Sequence, residues 1–119
     1  MKLRFIADND IKRMKGLMFQ DPLEKNECAL FIFPYNGQHS FWNKNVSFPI
    51  SLIFCDDKKN VVDVKKLNAE QATGVTSKSN EIKYVIEAHI DLYNKIKKGN
   101  KFRTKDMEVI IDGLDTKSN

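Results

Sequence analysis

The fold is decided by the stretch His39-Ser-Phe-Trp-Asn-Lys-Asn-Val-Ser-Phe-Pro-Ile-Ser-Leu-Ile-Phe54, which holds the only tryptophan of the chain, three phenylalanines and a proline. Its two ends are typical of β-strands. Residues 43–47 interrupt the apolar pattern, and Pro49 has no N–H to donate to a neighbouring strand. We therefore expect an irregular crossing followed by a buried strand from Ile50 to Phe54.

Apolar and alternating runs predict most of the remaining strands. These runs are residues 3–6, 28–33, 61–64, 81–90, 101–104 and 107–111. In the run 81–90, alternation predicts one dry side and one polar side that includes Glu87. Residues 34–37, Pro-Tyr-Asn-Gly, have the composition of a tight turn that would join two strands as a hairpin. Residues 67–80 predict a long surface loop that could act as a lid.

One short helix is predicted near the N terminus, because residues 8–10 offer capping oxygens. The apolar residues that follow at helical spacing are Ile11, Met14, Leu17 and Met18. We interpret Met14, Met18 and Phe19 as core residues rather than as a binding surface, and Arg13 as facing water.

The length of 119 residues suits a single domain. Many short strands with turns between them, and no regular alternation of strand and helix, predict an antiparallel sandwich or barrel with one short N-terminal helix. We expect the domain to span residues 1–114 and the polar tail 115–119 to be flexible.

Charge and composition narrow the classes of partner. The net charge of +4 is modest, and its densest basic cluster lies from Lys95 to Arg103. Only three arginines are present, so nucleic-acid binding through this segment is a third-ranked hypothesis. No apolar run approaches the roughly 20 residues of a membrane-spanning helix, and we expect no membrane partner.

The two cysteines, Cys28 and Cys55, lie within apolar runs and lack the short spacing of zinc or redox motifs. They are interpreted as buried free thiols, which suit a reducing compartment. A four-ligand site with His39 and His89 is disfavoured because no two of these ligands are close in sequence. We expect no metal and no cofactor.

Three residues of the central part carry open interpretations. Trp42 is interpreted as core packing, with a ligand platform as the alternative. Asn45 is expected to hold the irregular backbone through hydrogen bonds. For Glu87, structural and functional roles stay equally open: desolvation would raise its pKa, whereas a pair with Lys44 would lower it.

Five motifs resemble the successive blocks of the DUF192 family. They are Gly16-Leu-Met-Phe-Gln20, Cys28-Ala-Leu-Phe-Ile-Phe33, Phe41-Trp-Asn-Lys-Asn-Val-Ser-Phe-Pro-Ile-Ser51, Tyr84-Val-Ile-Glu87 and Ile96-Lys-Lys-Gly-Asn100. The resemblance covers most of the chain and implies a mainly β, jelly-roll-like single domain. It implies no activity, since the family is named for having no settled function.

The chain departs from the family pattern at four positions. Gln20 stands where the family usually has arginine, Asn43 for methionine, Val46 for threonine and Ser51 for aspartate. A mechanism that uses that arginine and aspartate as a charge pair, or the aspartate as a general base, is not open to this chain. Many relatives begin with an export signal that is missing here, so we expect a cytoplasmic protein.

The first functional hypothesis is a non-catalytic module that binds an unknown protein or small molecule. Its candidate binding residues are Phe19, Gln20, Trp42, Asn43, Lys44, Asn45 and Glu87. The alternative is a small hydrolase-like enzyme that uses Glu87 with Lys44 or His39. The Lys- and Asn-rich composition hints at an AT-rich genome, such as a phage, in which case the location would be the host cytoplasm.

Overall fold

The protein is built on one curled seven-stranded sheet. The computed structural model describes residues 1–114, so the tail 115–119 lies outside the described residues. In chain order the elements are β1 (Lys2–Ala7), α1 (Asp10–Lys15), β2 (Glu27–Gly37), β3 (Ser40–Phe41), β4 (Ile50–Cys55), β5 (Val61–Leu67), β6 (Val75–Thr76), β7 (Ile82–His89), a 3₁₀ turn (Ile90–Leu92), β8 (Lys101–Lys105) and β9 (Glu108–Asp112). Within residues 1–114, no helix has the length and apolarity needed to cross a membrane.

The large sheet has the order β5-β4-β7-β2-β1-β9-β8, and β3 pairs with β6 in a separate two-stranded ladder. Strands β1 and β2 are parallel, with Ala7 beside Phe31. The prediction of an antiparallel fold is therefore wrong at this pair. Helix α1 and the loop after it return the chain to the same end of the sheet, as a parallel pair requires. The mainly β single domain with one short helix is confirmed, and the jelly-roll-like topology stays a prediction.

Three neighbouring strands of the sheet, β4, β7 and β2, have residues buried on both faces. Every residue of β4 is buried. Because side chains alternate across a strand, Leu52 and Val85 join one buried cluster while Ile53 and Ile86 join another on the opposite face. The single dry side predicted for residues 81–90 is therefore wrong, since both faces of β7 are buried around Glu87.

The sheet curls until its two outer strands meet at one end. The Val61 N–H donates to the Asn100 carbonyl at 2.7 Å, and the Phe102 N–H donates to the Lys59 carbonyl at 3.0 Å. Asn60 and Lys101 form the bridge between the two edges. These contacts cover polar backbone groups that an open edge would leave exposed.

The turn predicted at residues 34–37 is wrong, because β2 continues to Gly37, which pairs with Ile82 of β7. The parallel ladder with β1 stops at Phe31. Pro34 therefore lies beyond that ladder, where its missing N–H removes no bond to β1. The chain then leaves the sheet to form β3, whose Ser40 pairs with Thr76 of β6.

Helix α1 is shorter and more exposed than its apolar spacing predicts. Asn9 caps its first turn by accepting from the Lys12 N–H, and the helix ends at Lys15 because Gly16 has a φ of 45°. Met14 is 74% exposed, so its predicted place in the core is wrong. Arg13, predicted to face water, is instead largely covered.

Arg4 holds the loop that connects α1 to β2 in place through hydrogen bonds. Its Nε and Nη2 atoms donate to the two carboxylate oxygens of Glu27 at 3.0 and 2.6 Å. Its Nη1 and Nη2 atoms also donate to the carbonyls of Asp21 and Pro22 at 2.6 and 3.0 Å. This arrangement uses the planar fork of the guanidinium, which an ammonium group does not reproduce.

The Arg4→Lys substitution should lower the free energy of unfolding by about 1–3 kcal/mol, since it removes charge-assisted bonds to a partly covered carboxylate. Urea denaturation measures the loss. The control is Arg103→Lys, whose ion pair with Asp112 is exposed and 3.5 Å long, and which should change stability by less than about 0.5 kcal/mol. Equal losses in the two variants would contradict the role of the fork.

Candidate functional site

A cavity of about 600 Å³ lies between α1, the segment around β3 and one face of the large sheet. That volume is within the range of roughly 300–1,000 Å³ typical of small-molecule sites. The residues that line it are Arg13, Met14, Lys15, Gly16, Leu17, Met18, Phe31, Phe33, Ser40, Phe41, Trp42, Asn43, Val46, Ala72, Gly74 and Glu87. Of the seven candidate residues, the structure thus brings together Trp42, Asn43 and Glu87.

An aromatic cluster forms one wall of the cavity. The Phe41 ring lies 5.2 Å from Phe31, 6.1 Å from Phe33 and 6.2 Å from Phe54, each in an edge-to-face arrangement. Such pairs hold rings in fixed relative orientations. Because β3 has only two residues, the packing of the Phe41 ring is important for holding this strand against the large sheet.

Trp42 lies at the mouth of the cavity and not in the core. The residue is 49% exposed, so the prediction of core packing is wrong: β3 is too short to place another layer over its outer side. The Lys44 Nζ atom lies 4.3 Å from the centre of the Trp42 ring. Lys44 itself does not line the cavity.

Glu87 supplies the acidic group of the cavity. It lies on β7 between Ala29 of β2 and Leu52 of β4, and only 4% of it is exposed. Within residues 1–114, its carboxyl group takes part in none of the side-chain hydrogen bonds or ion pairs, and so not in the pair with Lys44 considered from the sequence. Burial raises the pKa of Glu87 to about 8. The carboxyl group is therefore mostly protonated at neutral pH.

Asn43 places a second polar group at the cavity. It is 1% exposed, and its Nδ2 atom donates to the carbonyls of Phe48 and Asn68, both at 3.0 Å. These two bonds use both N–H groups of the amide and fix its orientation. The Oδ1 atom is left buried without a partner in the described part of the chain. Asp63 Oδ2 of β5 is a second buried acceptor of this kind and does not line the cavity, so the feature does not by itself mark a ligand site.

The crossing after β3 and two loops bonded to it each place one residue in the left-handed region. Phe19 has a φ of 62°, Asn45 of 60° and Glu70 of 55°, values that are uncommon for residues other than glycine. The Phe19 N–H donates to the Asn45 carbonyl at 2.8 Å, and the Asn45 N–H donates to Glu70 Oε1 at 3.2 Å. The predicted structural role of Asn45 thus rests on its backbone, because the side chain is exposed.

Phe19 and Gln20 lie outside the cavity. Phe19 is 82% exposed, so its predicted place in the core is wrong. Gln20 donates from Nε2 to the Gly16 carbonyl at 3.2 Å and accepts from Arg4 at 3.4 Å. Both residues border a shallow surface groove with Arg4.

The four departures from the family pattern separate into two groups. Asn43 and Val46 line the cavity, whereas Gln20 and Ser51 do not. Ser51 donates to the His89 carbonyl at 3.0 Å, and the pleat of β4 places it on the face opposite to Glu87.

The pairs proposed for acid–base chemistry are not in contact. The His39 ring stacks on Phe33 with 3.6 Å between ring centres, and its Nε2 atom lies 3.1 Å from the Ile82 carbonyl. Burial lowers the pKa of His39. Ile82 and Glu87 are five residues apart on one strand, which corresponds to about 16 Å. His39 does not line the cavity.

The cysteines lie on the other side of the sheet from the cavity. Cys28 and Cys55 are buried in the second cluster, and burial raises the pKa of Cys28 to about 12 and raises that of Cys55 as well. In the described ranges, no three His, Cys, Asp or Glu side chains gather as a metal site would require. None of the basic residues from Lys95 to Arg103 lines the cavity.

Sequence reasoning missed part of the lining. Arg13 lies with its guanidinium 5.3 Å from the centre of the Phe33 ring and donates to the Ile32 carbonyl at 2.6 Å. Arg13 lies among other charged residues of the helix, and nothing in the sequence distinguishes it from them. The apolar spacing favours a buried position for Met14. In the sequence, only Gly16, which ends the helix early, indicates that Met14 is exposed.

The buried Glu87 should make stability depend on pH. Its pKa rises from 4.5 to about 8 on folding, so the folded state binds the extra proton between these values. The free energy of unfolding should therefore fall as the pH rises from about 5 to about 8. Urea titrations across this range measure the slope, and Glu87→Gln, which keeps the shape without ionising, should remove this fall. The variant should keep only the rise in stability up to about pH 6.5 that the lowered pKa of His39 produces.

Glu27→Gln is the matched control. Hydrogen bonding to Arg4 lowers the pKa of Glu27, so its contribution is present above its ordinary pKa and is lost as the pH falls through the lowered value. This variant should keep the slope between pH 5 and 8. A wild-type slope that persists in Glu87→Gln would show that another group titrates there.

Comparisons with known proteins agree on the fold. A protein of unknown function from Novosphingobium aromaticivorans superposes with a TM-score of 0.72 at 24% identity, over 83% of this chain and 73% of that one. A "putative transcription regulator" from Sinorhizobium meliloti gives a TM-score of 0.72 at 19% identity, over 92% of this chain and 81% of that one. No curated protein matches the sequence.

The family is settled by a match that spans most of the chain. The model of DUF192, described as "Uncharacterized ACR", matches residues 4–104, which include all five motifs noted in the sequence. This range runs from β1 to β8 and contains the cavity. The chain belongs to the DUF192 family, whose function is not established.

Proposed function

We propose that this protein is a non-catalytic binding module that holds a small molecule in the cavity beside Trp42. The observation that carries the proposal is the pairing of an aromatic wall with a buried carboxyl group, Glu87, that makes no side-chain hydrogen bond or ion pair in residues 1–114. Apolar pockets with a few convergent polar groups are typical of ligand sites. The apolar body would contact Phe33 and Phe41, and a polar group would reach Glu87.

The hydrolase-like alternative has less support. A carboxyl group with a pKa of about 8 is suited to proton transfer. An acid–base mechanism also needs a second positioned group, and neither Lys44 nor His39 lines the cavity. If the protein is an enzyme, Glu87→Gln should abolish its activity while the fold is kept.

The remaining proposals concern partners and location. Nucleic-acid binding through Lys95 to Arg103 would show affinity that falls steeply with salt. We place the protein in the cytoplasm, where buried free thiols such as Cys28 and Cys55 suit reducing conditions. If the gene is carried by a phage, this is the host cytoplasm.

Benzyl alcohol is a suitable test ligand because it joins an aromatic body to one hydroxyl group. In NMR titrations of backbone amides, it should cause saturable shifts that are confined to the residues around the cavity. Trp42 is the only tryptophan, so its fluorescence should change along the same binding curve. Shifts that do not saturate, or that spread over the surface, would contradict the proposal.

Two alanines of one loop provide a matched pair of variants. Ala72 lines the cavity and is exposed, so Ala72→Phe should block the cavity without disturbing the core. Ala69 is also exposed but does not line the cavity, so Ala69→Phe should bind benzyl alcohol as the wild type does. Equal binding by both variants would place the ligand elsewhere.

A further inference from the structure

We propose that the cavity is specific for a primary amine with an apolar body, whose ammonium group lies against the Glu87 carboxylate. This inference rests on the proposed binding function and names its ligand class. Glu87 lines the cavity and is more than nine-tenths buried. Within residues 1–114, its carboxyl group makes no side-chain hydrogen bond or ion pair with another residue.

Asn43 fixes part of the cavity wall and offers no atom to the ligand. Its two N–H groups already donate to the Phe48 and Asn68 carbonyls, and its backbone N–H donates to the Gln71 carbonyl at 2.7 Å. Its Oδ1 atom is buried and has no surface that a ligand can reach. Recognition of a charged group in the cavity therefore depends on Glu87.

Glu87 adds the requirement for charge. An ionised carboxylate accepts through both oxygens and is costly to bury without a counter-ion. An ammonium group carries three donors and a positive charge, so it can bond to both carboxylate oxygens of Glu87 and neutralise the charge. A hydroxyl group carries one donor and no charge, and it can satisfy only one of them.

Among residues 1–114, no cation pairs with Glu87. The cations that line the cavity are Arg13 and Lys15. Arg13 is held by the Ile32 carbonyl at 2.6 Å and by Asp10 at 2.7 Å, and Lys15 is exposed at the last position of α1. Lys44 lies over the Trp42 ring. The place of a counter-ion is therefore available to a ligand.

The other elements packed around Glu87 bring little charge to it. On its two neighbouring strands it faces Ala29 and Leu52. The nearest titratable groups on the same faces of β7 and β2 are His89 and Glu27, and Glu27 is already paired with Arg4. Burial alone accounts for the raised pKa of Glu87. An ammonium group that enters the cavity should therefore drive a proton off this carboxyl group.

Benzylamine and benzyl alcohol are near-isosteric probes that separate charge from shape. Near neutral pH, calorimetry in buffers of different ionisation enthalpy should show release of close to one proton per benzylammonium bound and none for the alcohol. Below about pH 8, the affinity for benzylammonium should rise by close to ten-fold per pH unit, while that for the alcohol stays flat. At about pH 8 the amine should bind at least about ten-fold more tightly than the alcohol.

Glu87→Gln keeps the side-chain shape and removes the charge. In this variant the preference for the amine should fall to about one-fold and the proton release should disappear, while benzyl alcohol still binds. The wild-type calorimetry is decisive even if the variant fails to fold. Binding of the alcohol with no preference for the amine would overturn the amine inference alone. Failure of both probes to bind would overturn the proposed function as well.

Discussion

The structure depends on burial of both faces of the neighbouring strands β4, β7 and β2. Other residues pack on both faces of β4, β7 and β2. A polar side chain on these strands therefore needs a hydrogen-bond partner, because its burial without one lowers the stability of the fold. Ser51 meets this condition by bonding to a carbonyl at the end of β7. Glu87 pairs with Leu52, the residue after Ser51, and lies on the opposite face of the sheet. Its carboxyl group is not satisfied by any described protein group. This contrast is what makes the cavity more than a packing defect.

The sequence predicts the buried strands well because their signal is local. The continuous apolar run 28–33 and the run 50–54 can be stable only with both faces covered, and they form β2 and β4. The position of Glu87 between apolar neighbours predicts its partial desolvation, which the structure shows to be nearly complete. The motif order also identifies the family correctly.

The errors arise where the outcome depends on residues far apart in sequence. The apolar spacing of Met14 and Phe19 predicts a buried helix face, but Gly16 ends the helix before that face is complete. The exposure of Trp42 follows from the short ladder of β3 with β6, which is more than thirty residues away in sequence. The cavity itself could not be predicted, because a void is defined by several elements together and has no pattern of its own.

The short ladder between β3 and β6 has a consequence for kinetics. It joins the strands by only two residue pairs, Ser40 with Thr76 and Phe41 with Val75, yet it forms a side of the cavity. Segments with so few backbone bonds open locally at a small free-energy cost compared with a central strand. This side of the cavity can therefore open while the large sheet stays folded, so exchange of a bound molecule does not require global unfolding.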